Sequence, residues 1–241
     1  MTILAYLIPN MMNPTIPDDL LAKIAKKMTD KCWWDLQPLL RSDTRGGDIV
    51  YRLDVLKGAN IFSMCDDPDD YQVDGSHHPS GPQGEGRHRA FFKRCVDAGN
   101  PTATYFEALR VLTHERDIKG AINLLRPHVP SQAHATLACA ILFIIDGNDY
   151  MGAMFLNLFE RNHYPFRTKE IRDLCEEFLE DLKKFRPPYN NTYGSTFSYH
   201  NSHGIQTPDC ALLCYIVSGP FKNVCNSCYV WWCARRVSQM L

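Results

Sequence analysis

The sequence predicts an all-α protein, and three observations lead there. Residues 18–28 set Leu20, Leu21, Ile24 and Met28 at three- and four-residue spacing. Residues 88–186 divide into stretches of helical length separated by short breaks rich in Gly, Asn, Pro and Asp. The most apolar internal run, Ala133 to Ile145, has the length of a buried helix and falls short of the roughly 18 residues that read as a membrane span.

Composition narrows the function classes. The chain has 241 residues, 45% of them hydrophobic and 11% aromatic, which is ample for a packed core. Its 26 Lys and Arg against 27 Asp and Glu give a net charge of -1, so no global field draws it to nucleic acid or to an anionic membrane. Partners are expected to be proteins recognised by shape and local chemistry. The apolar run Ile3 to Ile8 has no preceding Lys or Arg and is followed by Pro9, Asn10 and Pro14, a poor signal peptide. The expected location is therefore the nucleus or cytoplasm, where the ten cysteines stay reduced and serve packing or metal binding.

After an amino-terminal extension, 1–15, the first unit is expected over 16–62. Thr15 can cap a helix whose first turn holds Pro17, Asp18 and Asp19, where a missing donor is harmless and acids suit the positive end of the helix dipole. Lys23, Lys26 and Lys27 fill the side opposite the apolar residues. A second helical stretch carries Trp33, Leu36, Leu39 and Leu40 and contains Pro38, tolerable only in a first turn. Arg45-Gly46-Gly47 breaks the pattern before Ile49, Val50, Leu53 and Leu56 resume it. Residues 63–87 turn to Asp, Gly, Pro, Ser and His and read as a polar linker and domain boundary, with His77 and His78 solvating it.

The second unit, 88–186, is expected as helices Ala90 to Ala98, Thr102 to Leu112, Ile118 to Arg126, Gln132 to Ile145, Tyr150 to Arg161 and Thr168 to Phe185. Breaks this short favour antiparallel pairs, and small residues such as Ala103, Ala108, Gly120, Ala121, Ala135 and Ala138 let helices approach closely, as helical-hairpin repeats require. Glu176, Glu177, Glu180 and Asp181 with Lys183 and Lys184 read as an exposed face bearing ion pairs. Residues 187–241 form a cysteine-containing tail, read as a small module or a capping element.

The run Ile16-Pro17-Asp18-Asp19-Leu20-Leu21, continued by Ile24, Met28 and Asp35-Leu36, resembles the start of an F-box, the three-helix element by which substrate receptors dock on the Skp adaptor of cullin-based ubiquitin ligases. Beside it stands an ordinary amphipathic helix of this chain's own core. The order of that helix, a polar linker, Phe91-Phe92-Lys93-Arg94-Cys95 and Ala98-Gly99-Asn100-Pro101-Thr102-Ala103 is similar to a plant F-box family that joins an amino-terminal F-box to short tetratricopeptide or Sel-like repeats. The resemblance implies an F-box-like three-helix unit followed by antiparallel helical-hairpin repeats. It implies a Skp-like adaptor as partner, bound through Ile16, Pro17, Leu20, Leu21, Ile24, Met28 and Leu36, and a target protein bound by the repeats. The chain departs from the family at Ser42-Asp43-Thr44-Arg45-Gly46-Gly47, where an F-box usually carries Ser-Lys and an aromatic, and each glycine costs about 1 kcal/mol in a helix interior.

Cys210 and Cys214 followed by Cys225 and Cys228 can supply four thiolates to one structural zinc, with His200 or His203 able to replace a ligand. The apolar surroundings, including Leu212, Leu213, Ile216 and Trp231, equally suit a packed cysteine cluster. No phosphate-binding loop, nucleophile elbow, dinucleotide fingerprint or His-Glu-x-x-His motif occurs, so no enzymic activity is expected. A Cys and His dyad, Cys175 with His163 or His128, is the one catalytic arrangement left open. Two binding functions then stand side by side: a substrate-recognition subunit of a Skp-cullin-F-box type ligase, or a stand-alone helical-repeat scaffold with a degenerate F-box.

Overall fold

A computed structural model describes residues 16–29, 33–65, 88–166, 168–187 and 226–241, and every regular element among the described residues is helical. The all-α class expected from the sequence is what is found. The chain divides into two compact units, Met1–Phe106 and Glu107–Leu241. This division falls inside the stretch 88–186 expected to form one region, not in the polar segment 63–87.

In the first unit, α1 (Asp18–Thr29) buries Leu21, Ala22, Ala25 and Met28 along one side. Its first turn is capped by the carbonyl of Pro17, which accepts from the amides of Leu20 and Leu21 at 3.0 and 3.1 Å; the expected cap, Thr15, lies outside the described residues. A 3-10 turn, Trp33–Leu36, leads into α2 (Gln37–Ser42), and Pro38 sits in the first turn of α2, where it removes no hydrogen bond.

The double glycine does not interrupt the helical pattern. Asp43, in extended backbone, ends α2, and its carboxylate accepts from the amide of Gly46 at 2.8 Å, so that α3 (Thr44–Val50) runs through both glycines. Gly46 is required by packing: a Cβ there would lie 2.3 Å from the Leu39 carbonyl oxygen and 2.3 Å from Ser42 Oγ. The helical penalty of glycine is thus offset by the close approach of α2 and α3, which sequence spacing does not reveal.

α4 (Leu53–Gly58) packs on α1 and α3, and the short α5 (Phe62–Cys65) follows. The expected linker therefore begins inside a helix, with Met64 and Cys65 buried; residues 66–87 lie outside the described residues. α6 (Arg89–Asp97) belongs to the same unit because its apolar face needs that cover: Phe91 stacks on Trp33 at 5.6 Å between ring centroids, and Phe92 and Cys95 are fully buried.

Two helix joints share one chemistry. After α6, Gly99 takes a left-handed conformation (φ 73), its amide donates to the Val96 carbonyl at 2.9 Å, and the amide of Asn100 donates to the Cys95 carbonyl at 2.9 Å. Asn100 then caps α7 (Pro101–Arg110), its side-chain oxygen accepting from the amide of Ala103 at 3.0 Å. The same device joins α9 (Ala133–Ile145) to α10 (Asp149–Asn162). Gly147 is left-handed (φ 76), the Asn148 amide donates to the Phe143 carbonyl at 2.8 Å, and the Asn148 side chain accepts from the Met151 amide at 3.1 Å. A glycine followed by asparagine thus ends one helix and starts the next at both places.

Asn100 has an additional task. Its amide nitrogen donates to the carbonyls of Leu56 and Ala59 at 2.9 and 2.8 Å, closing the carboxyl end of α4, and the residue is 1% exposed.

The expected helix Thr102 to Leu112 changes character at its end. α7 stops at Arg110 and continues as a single π turn, Val111–Glu115, closed by Arg116 at φ 58. Thr113 Oγ1 donates back to the Leu109 carbonyl at 2.8 Å, and Arg110 pairs with Glu107 at 3.0 Å and with Glu115 at the end of the turn. In the second unit α8 (Ile118–Leu125) is capped by Asp117, which accepts from the Gly120 amide at 2.8 Å. α9 is buried along most of its length and packs against α8, α10, α11 (Glu170–Lys184) and α12 (Asn226–Met240). Gly152 lets α10 close on it, since a Cβ there would stand 2.7 Å from Ile144 Cγ1.

Candidate protein-docking surface

The first turn of α1 is fixed by charge as well as by its cap. Asp18 pairs with Arg45 of α3 at 2.8 Å, and Arg45 also donates to the Ile16 carbonyl. Asp19 pairs with Arg52 at 2.8 Å, and Asp54 lies 3.2 Å from the same guanidinium; hydrogen bonds from Arg52 to the two carboxylates raise its affinity for its proton. Pairs this exposed are screened by solvent and contribute little to stability, so their role is to orient α1 rather than to hold it. The sequence offers Asp18 and Asp19 as partners of the helix dipole; that they also find arginines across the double glycine depends on α3 being a helix.

Seven residues are expected to contact an adaptor, and they separate into two sets. Leu21, Met28 and Leu36 are buried and serve the core of their own unit. Leu20 is 49% exposed, Pro17 is exposed, and Ile16 and Ile24 are partly exposed. Leu20 and Ile24 are one turn apart, and Lys23 and Lys27 accompany them on the uncovered side of α1. On α4, which packs on α1, Leu53 is 66% exposed although its spacing with Ile49, Val50 and Leu56 predicts a core position; Val55 occupies the core instead. Periodicity could not separate Leu53 from Val55, because the turn at Tyr51 and Arg52 resets the phase between α3 and α4.

Of the four cysteines considered for zinc, Cys210, Cys214 and Cys225 lie outside the described residues, as do His200 and His203. Cys228 is buried on α12. Among the described residues no group of three or more His, Cys, Asp or Glu side chains is placed to hold a metal ion.

The dyad candidates occupy different settings. Cys175 is buried on α11, and its backbone carbonyl accepts from the Cys233 thiol of α12 at 3.7 Å. His163 Nε2 stands 3.4 Å from Thr136 Oγ1, and burial lowers its affinity for a proton while the Pro130 carbonyl favours the protonated ring. Burial pushes the thiols of Cys95 and Cys139 up to about 12, away from the thiolate a nucleophile needs. The acidic face of α11 carries its expected pairs, Lys183 with Glu180 and Lys184 with Asp181 at 3.0 Å. Two of its acids also reach other helices: Glu176 accepts from the Tyr229 hydroxyl at 2.8 Å, and Glu177 lies 2.9 Å from His134 Nε2. Among the described residues no helix is long and apolar enough to cross a membrane. Set against protein-family models, curated proteins and solved structures, the chain matches none of them.

Proposed function

We propose that this chain is a protein-binding adaptor of the F-box type, a substrate-recognition subunit that seats its first unit on a Skp-like adaptor and presents a target protein held by the second. The observation that carries the reading is the divided helix α1. Leu21 and Met28 anchor it, while Leu20 and Ile24 stand on the uncovered side with Leu53 exposed on the neighbouring α4. Apolar side chains that a unit leaves uncovered after filling its own core suit a partner's surface. The chain makes no bond itself in this reading; it raises the effective concentration of a target near an enzyme held elsewhere in the assembly.

Co-purification of the full chain with a Skp adaptor tests the proposal. Leu20→Asp with Ile24→Asp should abolish capture while circular dichroism stays unchanged; full capture by the folded double variant refutes it. A second reading, a stand-alone helical scaffold, draws on the burial of Leu21, Met28 and Leu36 within their own unit, and it predicts that no adaptor is captured by the unmodified chain. A structural zinc at Cys210, Cys214, Cys225 and Cys228 remains part of the proposal. Stoichiometric zinc in protein prepared without chelator is its expected sign, and metal-free protein removes it.

A further inference from the structure

Helices α11 and α12 pack against one another and both pack on α9. Where they meet, Cys233 Sγ donates to the carbonyl of Cys175 at 3.7 Å, which brings the two cysteines together across the helix pair. Both side chains are fully buried, and both are free thiols.

The register of the two helices is fixed along the part of α12 that precedes this contact. At the start of α12, Asn226 accepts from Arg172 Nε at 2.6 Å and donates to the carbonyls of Thr168, at 2.6 Å, and Phe166. One turn before Cys233, the Tyr229 hydroxyl donates to Glu176, and the Arg172 guanidinium lies over the Tyr229 ring at 5.2 Å. With the Cys233 sulfur seated against the Cys175 backbone across a packed helix pair, a side-chain rotation suffices to bring the two sulfurs toward bonding distance.

We propose that Cys175 and Cys233 form a reversible disulfide that latches α12 onto α11 when the protein meets a small disulfide oxidant. When α12 lifts away, the thiolate of one cysteine attacks the oxidant RSSR, forming a mixed disulfide and releasing one thiolate, which takes up a proton. As α12 reseats, the second cysteine loses its proton and displaces the other RS group. Two protein thiols thereby become one disulfide, and RSSR becomes two RSH. Burial raises the Cys233 thiol well above its usual range, so the closed form is slow to react and the opening of α12 sets the rate.

The test incubates reduced, full-length protein with excess glutathione disulfide, traps remaining thiols by alkylation in denaturant, and maps the peptides without reductant. The expected result is a peptide pair joining Cys175 to Cys233, together with amide exchange across α12 that is about tenfold or more slower in the oxidised protein. Bonds that join only other cysteines, such as Cys225 or Cys228, overturn the proposal, and so does a Cys175–Cys233 bond that leaves α12 exchange unchanged. Cys228→Ala should preserve the response and Cys175→Ala should remove it; should Cys175→Ala fail to fold, the peptide map of the unmodified chain decides.

Discussion

Replacing Asn100 with alanine should be the most damaging single change available at a helix joint. The substitution removes both hydrogen bonds to the Leu56 and Ala59 carbonyls and the acceptor for the Ala103 amide, at a residue 1% exposed. Loss of the cap costs about 1 kcal/mol. The Ala59 carbonyl stranded in a buried site costs about 1 to 2 kcal/mol more, whereas the Leu56 carbonyl keeps the Ala59 amide at 3.3 Å, for a total of about 2 to 3 kcal/mol. Against a domain stability of about 5 to 15 kcal/mol, that is a large share of the margin. The two tryptophans at 33 and 34 lie in the first unit, so urea titration in a Trp231→Phe, Trp232→Phe background reports that unit by fluorescence. Asn148→Ala supplies the comparison, because its exposed side chain caps only Met151 and its loss should cost about 1 kcal/mol, followed by circular dichroism. If the Asn100 variant loses no more than the Asn148 variant, the carbonyls it serves are not energetically coupled to it and the reasoning fails.

Neighbouring glycines should respond with opposite signs. Gly46→Ala forces a Cβ onto the Leu39 carbonyl and should destabilise by about 2 kcal/mol or more, whereas Gly47→Ala meets nothing within 4 Å and should stabilise by about 0.5 to 1 kcal/mol; urea midpoints decide. The imidazole of His163 titrates below its usual 6.5 in the folded chain, so the unfolded chain binds more protons and stability should fall as pH drops from 6.5 through the folded value. Thermal melts of His163→Gln should show a shallower fall over that window. A Cys175–Cys233 bond closes a loop of about 58 residues and should add about 4 kcal/mol to the stability of the second unit, read as a higher denaturant midpoint that dithiothreitol reverses.

The helices of the second unit were legible because their signals are local. Apolar periodicity and punctuation predict Ile118 to Arg126 and Gln132 to Ile145, and the structure places α8 at Ile118–Leu125 and α9 at Ala133–Ile145. Near the amino terminus the same rules find α1 but misread Gly46 and Gly47, since a glycine demanded by a neighbouring backbone looks identical to one that ends a helix. The unit boundary also escapes the sequence. Asn100 reads as a turn residue, and nothing local discloses that it closes α4 more than forty residues upstream. For the candidate surface, spacing identifies which residues of α1 are apolar, but Leu20 and Leu21 are equivalent to such a pattern and their separation into outward and inward roles is decided by the position of α3 and α4.

The placement of α9 among four other helices makes the second unit a wheel around an axle rather than a row of carriages. A row can gain or lose a carriage at its end and still run. A chain cut ahead of Asn226 would instead leave the axle wet along the side that Val230, Cys233, Ala234 and Val237 now help to keep dry. In this half of the protein the loss of any spoke is therefore felt by all the others at once.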